Sequence, residues 1–212
     1  MANRQQKGTC WLCGQELSRS GMGRHLLAKH PGGEGDQPCM LLKIQDESGA
    51  YWLYADIPLK STLKTLDTFL RNVWCECCGH MSAFMAPRSW GDDYSMSRKI
   101  GAFEPGESLR YEYDFGSTTT LYVTFVQKTA RPKQKAAVRL LARNNPYAFV
   151  CCECGKPAEW VNAEGWDRPF YCDGCARDML AIMLPVVNSP RMGVCGYTGE
   201  FDRYQYVPGG AK

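Results

Sequence analysis

Twelve cysteines and three histidines among 212 residues constrain this chain more than any other feature. The first residues, Met-Ala-Asn-Arg-Gln-Gln-Lys-Gly, have no apolar run of the export-signal kind. Cysteine at this density without such a signal points to reduced thiols that hold metal, and so to a cytoplasmic protein. The most apolar stretch, Met179 to Val187, is nine residues interrupted by Pro185. That is too short for a bilayer, so no membrane partner is expected.

The spacing sorts the thiols. Cys10-Trp-Leu-Cys13 is followed by eleven residues, then His25 and, after four more, His30. Two thiolates on a knuckle and two imidazoles from one helix can close a tetrahedron around zinc. Leu17 and Met22 stand where a small ββα finger needs apolar residues. Gly21 and Gly23 each cost the helix about 1 kcal/mol against Ala, which zinc binding of order 10 kcal/mol overrides. Cys151-Cys-Glu-Cys154, seventeen residues, then Cys172-Asp-Gly-Cys175 is the spacing of a four-thiolate zinc ribbon. Cys152 with Cys154 offers a competing and poorer knuckle. Four protein donors leave no water position, so both sites are structural. Two zinc ions are therefore expected. Cys75, Cys77, Cys78 and His80 either hold a third metal or are small buried residues at a helix end. The packing reading is preferred, because no second knuckle completes a tetrahedron. Cys39 and Cys195 are isolated and read as core thiols. Replacing Cys154 or Cys172 should unfold the ribbon, whereas replacing Cys10 should spare the core.

Between the zinc sites the chain reads as an α+β core. Strands are expected over Met40 to Ile44, Tyr51 to Ile57, Met81 to Met85, Ser108 to Tyr113 and Leu121 to Gln127. Ser61 is the expected N-cap of a helix whose apolar stripe is Leu63, Leu66, Phe69, Leu70 and Val73. Val138 to Ala142 is ambiguous. The resulting picture is a small mixed sheet with packed helices, flanked by the finger and the ribbon. Its expected divisions are a finger at 1–33, a linker at 34–38, a core at 39–148, and the ribbon with a C-terminal segment at 149–212. A hydrophobic share of 44% with 22% charged residues excludes disorder, collagen and coiled coil.

Tyr111-Glu-Tyr-Asp-Phe-Gly-Ser-Thr-Thr119 resembles the signature of the plasmid open-reading-frame-three-like family, also described as insertion-element passenger-type proteins. The likeness extends to Leu66-Asp-Thr-Phe-Leu70, to Cys77-Cys-Gly-His80 through Ser82-Ala-Phe84, and to Leu140-Leu-Ala-Arg-Asn144. It continues in Val187-Asn-Ser-Pro-Arg191 with Cys195-Gly-Tyr-Thr-Gly199. The resemblance implies an association with mobile elements. Together with the likeness to zinc-finger ribonucleases as a type, it suggests an effector of anti-phage or anti-plasmid defence.

Net charge is only +3, but its distribution is uneven. No acidic residue lies between Asp114 and Glu153, a stretch that carries Lys128, Arg131, Lys133, Lys135, Arg139 and Arg143. The finger segment adds Arg4, Lys7, Arg19, Arg24 and Lys29 against Glu16. Such runs suit phosphate contacts or form solvated faces. A lone finger covers too little surface for operator reading, so RNA is the expected partner ahead of DNA. Trp90, Tyr94 and Trp166 could stack on bases or pack locally. His80 is the one histidine outside the finger. If the chain is a ribonuclease, His80 is its acid/base group, Asp114 orients it or binds substrate, and Arg88 neutralises phosphate. The competing class is a non-catalytic interaction or oligomerisation module that binds a protein trigger or a second copy.

Overall fold

The computed structural model describes residues 6–32, 35–89, 91–179 and 181–204. Strands β1 (Gly8–Cys10) and β2 (Glu16–Leu17) form a hairpin that leads into helix α1 (Arg19–Lys29). Strands β3 (Gln37–Asp46) and β4 (Trp52–Pro58) follow. Next come helix α2 (Leu63–Leu70), a π-helical turn over Arg71–Cys75, and strand β5 (Ser82–Met85). Strands β6 (Ser108–Tyr113), β7 (Thr119–Arg131) and β8 (Arg139–Asn144) complete the central part. The C-terminal part holds β9 (Trp160–Asn162), β10 (Phe170–Tyr171), α3 (Asp173–Ala176) and β11 (Met183–Pro185). No helix of the described residues is long and apolar enough to cross a membrane.

The main sheet has eight strands in the order β2-β1-β8-β4-β3-β7-β6-β5, and every pairing in it is antiparallel. It is thus larger than expected and not mixed. Its centre is built from hairpins, which pair neighbours antiparallel, and parallel neighbours would need a crossover instead. The β3–β4 turn shows the local cause. The Asp46 carboxylate accepts from the amides of Ser48 and Tyr51, and Gly49 holds a φ of +70°. β10, β9 and β11 form a separate antiparallel sheet of three strands.

Both faces of the sheet centre are covered, and the alternation of β3 and β4 says by what. Met40, Leu42, Ile44, Leu53, Ala55 and Ile57 join Leu63, Leu66, Phe69 and Leu70 of α2 in one core. Leu41, Trp52 and Tyr54 point the other way, against Cys10, Met22 and Leu26 of the finger segment. All seven residues of β4 are consequently buried. The residue before α2 is Thr62 rather than the expected Ser61, and its side chain makes no capping bond. The carbonyls of Arg98 and Met96 accept from the first helical amides, of Leu63 and Lys64, instead.

The expected divisions are not boundaries of hydrogen bonding. β1 pairs with β8 in the register Gly8↔Asn144, Thr9↔Arg143 and Cys10↔Ala142, so the finger segment is an edge of the main sheet. A finger this small has too little apolar surface of its own, and the Trp52–Tyr54 face of β4, buried beneath it, supplies the rest. β3 begins inside the expected linker. At the other end, Ser189 Oγ donates to the Trp74 carbonyl and ties the C-terminal segment back to the core.

Candidate metal centres

Among the described residues, three groups of four side chains each bring their ligand atoms within 4.8 Å of one another. They are Cys10, Cys13, His25 and His30; Cys151, Cys154, Cys172 and Cys175; and Cys77, Cys78, His80 and Cys195. Each group could hold a metal ion. The eight ligands expected from spacing fill the first two groups.

In the first group, β1 supplies Cys10, fully buried, and the turn after it supplies Cys13. The turn closes through Gly14, whose amide donates to the Cys10 carbonyl with a φ of +77°. His25 rides on α1, and His30 is its C-cap residue. Cys13 Sγ lies 3.3 Å from His25 Nε2. Burial lowers the His30 pKa, helped by the charges of His25 and Arg139, which favours the neutral imidazole a metal needs. The buried His30 Nε2 has no hydrogen-bond partner, as a nitrogen reserved for a metal would.

In the second group the Gly155 amide donates to the Cys151 carbonyl at 2.9 Å and shapes the first knuckle. Cys154 Sγ lies 3.5 Å from Cys172 Sγ and 3.7 Å from Cys175 Sγ. Burial opposes a Cys151 thiolate, but the amides of Cys172, Cys154 and Glu153 face its sulfur and bring the pKa down to about 6. The thiol of Cys151, not of Cys152, lies with those of Cys154, Cys172 and Cys175 within 4.8 Å of one another, so the knuckle runs from Cys151 to Cys154.

The third group differs from the expected one. Cys75 is wholly buried in the main core, where burial pushes its thiol up, and it belongs to no cluster. Its place is taken by Cys195, expected to be a core thiol but in fact exposed. The π-helical turn buries Val73, Trp74 and Cys75 and releases the chain at Glu76. Cys78 Sγ lies 3.6 Å from Cys77 Sγ, 3.5 Å from Cys195 Sγ and 2.9 Å from His80 Nε2. His80 Nε2 is also 3.5 Å from Cys195 Sγ and 3.6 Å from Asp114 Oδ2. Asp114 sits in the β6–β7 turn at a φ of +66° and bonds Arg191 at 2.6 Å. That guanidinium holds the Asp114 carboxyl down at about 2.

His80 and Asp114 are therefore brought together, but in a cluster of sulfurs. Arg88 is exposed in the turn after β5, and among the described residues no ion pair or hydrogen bond joins it to His80 or Asp114. The cation beside Asp114 is Arg191, which is fully buried. The string Val187-Asn-Ser-Pro-Arg191 was its only signal in the sequence.

The basic stretch is largely consumed inside the protein. Asp56 is buried in β4 and bonds Arg131 at 2.5 Å and Arg139 at 2.5 Å. Arg143 is 5% exposed and bonds Asp202. Lys128 pairs with Glu104 at 2.7 Å. A buried carboxylate holds its cations because leaving either charge alone costs several kcal/mol. Of the six expected phosphate contacts, Lys133 and Lys135 remain exposed outside such pairs. Trp166 is fully exposed, while Tyr94 packs edge-on against Phe103. Arg4 and Trp90 lie outside the described residues.

No protein-family model matches the chain, and no curated protein matches it. Among solved structures it is similar to a protein of unknown function from Methanosarcina mazei Go1, at 18% identity and a TM-score of 0.41. That likeness covers 57% of this chain and 75% of the other.

Proposed function

We propose that the protein is a non-catalytic, zinc-stabilised interaction module of the cytoplasm, in which zinc fastens the finger and the ribbon. The observation that carries this reading is the position of His80, with Nε2 2.9 Å from Cys78 Sγ and 3.5 Å from Cys195 Sγ. A ribonuclease built on His80 needs that nitrogen free to take a proton. A histidine committed to metal cannot serve so, and four protein donors leave no place for an activated water. Sulfur and imidazole in tetrahedral sets favour zinc over the hard, oxygen-seeking ions.

Nucleic acid, RNA ahead of DNA, is the second reading for the partner. It is supported by the exposed Lys133 and Lys135 and by the fully exposed ring of Trp166, which suit backbone and base contacts on single strands. The motif strings shared with the plasmid open-reading-frame-three-like family support an association with mobile elements and, through it, a part in defence.

The test is incubation of the purified chain with labelled single-stranded RNA, with metal content measured on the same sample. Wild type and His80→Ala are both expected to leave the RNA intact. Cleavage by wild type that disappears in a correctly folded His80→Ala protein would overturn the non-catalytic reading. Weakened RNA retention in a Lys133→Ala/Lys135→Ala variant is the mark of the second reading, and unchanged retention removes it.

A further inference from the structure

We propose that Cys77, Cys78, His80 and Cys195 form a third zinc site that acts as a clasp, fastening residues 186–204 to the sheet and holding one wall of a cavity. This rests on the zinc reading above. A zinc tetrahedron with bonds of about 2.3 Å to sulfur and about 2.0–2.1 Å to nitrogen has edges of roughly 3.4–3.8 Å. Three edges of this cluster, at 3.6, 3.5 and 3.5 Å, fall in that range, and the fourth, from His80 Nε2 to Cys78 Sγ, is shorter at 2.9 Å. The four-thiolate group has the same scale, at 3.5 and 3.7 Å. A disulfide would need sulfurs at about 2.05 Å.

The backbone is shaped to present these donors. Gly79 turns the chain at a φ of +77° between Cys78 and His80. Cys195 itself adopts a φ of +54°, which a side chain of its kind takes only at a cost of order 1 kcal/mol or more. Such strain persists where the surroundings over-determine the position, and a metal bond does that.

The charges fit as well. Three thiolates and a neutral imidazole around a divalent ion leave one negative charge. Arg191, wholly buried, donates to Cys77 Sγ at 3.5 Å and to Asp114 at 2.6 Å. The Cys77 amide also donates to Tyr113 Oη at 3.4 Å. Residues 191–195 therefore carry both a ligand and a cation that touches the site while pairing with Asp114.

The clasp is the most accessible of the three clusters. Cys78 and Cys195 are both exposed, whereas each other cluster has at least one buried cysteine. What it secures is one wall of a cavity. Residues 186–204 and β8 together line a cavity of about 430 Å³, whose walls are tied where Arg143 bonds Asp202 at 2.6 Å and Asn144 bonds Asn188 at 2.9 Å. That volume is in the range of small-molecule sites.

The experiment is native mass spectrometry of the full chain, with hydrogen exchange read over 189–199. Wild type is expected to hold three zinc ions and Cys195→Ser two, with unchanged far-ultraviolet dichroism. Exchange over 189–199 should rise about tenfold in the variant while that of β3 stays fixed. Because a variant can misfold, wild type is also titrated with a mild chelator. One ion should leave first, with the same local rise in exchange. Two ions in both proteins, or three in both, overturns the third site and leaves the zinc reading standing. Loss of one ion with unchanged exchange over 189–199 overturns the clasp. Wild type without zinc overturns the zinc reading itself.

Discussion

Asp67 joins helix α2 to the β5–β6 edge. It is fully buried, and its carboxylate accepts from Ser82 Oγ at 2.7 Å, Tyr111 Oη at 2.9 Å, Lys64 Nζ at 2.7 Å and Arg71 Nε at 3.0 Å. Burial alone would raise its pKa, but these donors and the Arg71 charge outweigh burial and lower it. A carboxyl depressed in the folded state stabilises the fold above its unfolded pKa of about 3.9, and the contribution fades as pH falls through the depressed value. Asp67→Asn should therefore cost about 3–5 kcal/mol at pH 7, because it strips a buried network of its anion. The gap should narrow below about pH 4. Urea unfolding of both proteins from pH 7 to pH 3 measures it, and a constant gap would show that the charge is not what matters. Both proteins lose metal alike on acidification, so the difference isolates Asp67. The sequence made some residues legible and hid others for one reason. Eight ligands fall within two short windows and announce themselves by spacing. Cys195, Arg191 and the Asp56–Arg131 pair act across 117, 77 and 75 positions, where no local pattern can speak.

At the scale of elements, local patterning located the β3–β4 hairpin, β6 and most of β7, an apolar run marking β3 and alternation marking β4, because each pairs with a neighbour close in the chain. It could not reveal that the finger is a sheet edge, since β1 pairs with β8 more than 130 positions away. Nor could it resolve Val138 to Ala142, which became strand β8 only because β4 and β1 lie on either side. The closeness of that edge rests on Gly8. A Cβ there would stand 2.3 Å from the Arg143 carbonyl oxygen and 2.5 Å from the Trp52 ring. Neither the strand backbone nor a packed indole can retreat cheaply. Gly8→Ala should force β1 off β8 and lower stability by about 2–4 kcal/mol, read by urea unfolding. Unchanged stability would mean that the finger docks without close pairing.

The whole molecule is a large sheet with candidate metal clusters at its attachments, and the attachments are unequal. The ribbon's buried cluster is small: Cys151, Tyr171, Cys172 and Ala176, two of them candidate ligands, with Trp160, Met179 and Met183 packed half-buried against it and Val161 and Leu184 buried in β9 and β11. Without metal this small core is expected to hold β9, β10 and β11 together only weakly. Cys154→Ser should release residues 151–185 to rapid hydrogen exchange while the unfolding of the main sheet moves by less than about 1 kcal/mol. The finger is the opposite case. Cys10 is fully buried, pairs with Ala142 of β8, and packs with Trp52, Tyr54 and Leu141. The expectation that replacing Cys10 spares the core is therefore revised, because the residue packs in a buried core as well as belonging to the candidate metal cluster. Cys10→Ser places a hydroxyl without a metal among apolar side chains and loosens the edge that β8 shares with β4. The main transition should fall by about 2 kcal/mol or more. Equilibrium unfolding of the two variants side by side decides the matter. Equal losses would mean that the ribbon supports the sheet as strongly as the finger does, against the small core that joins its strands.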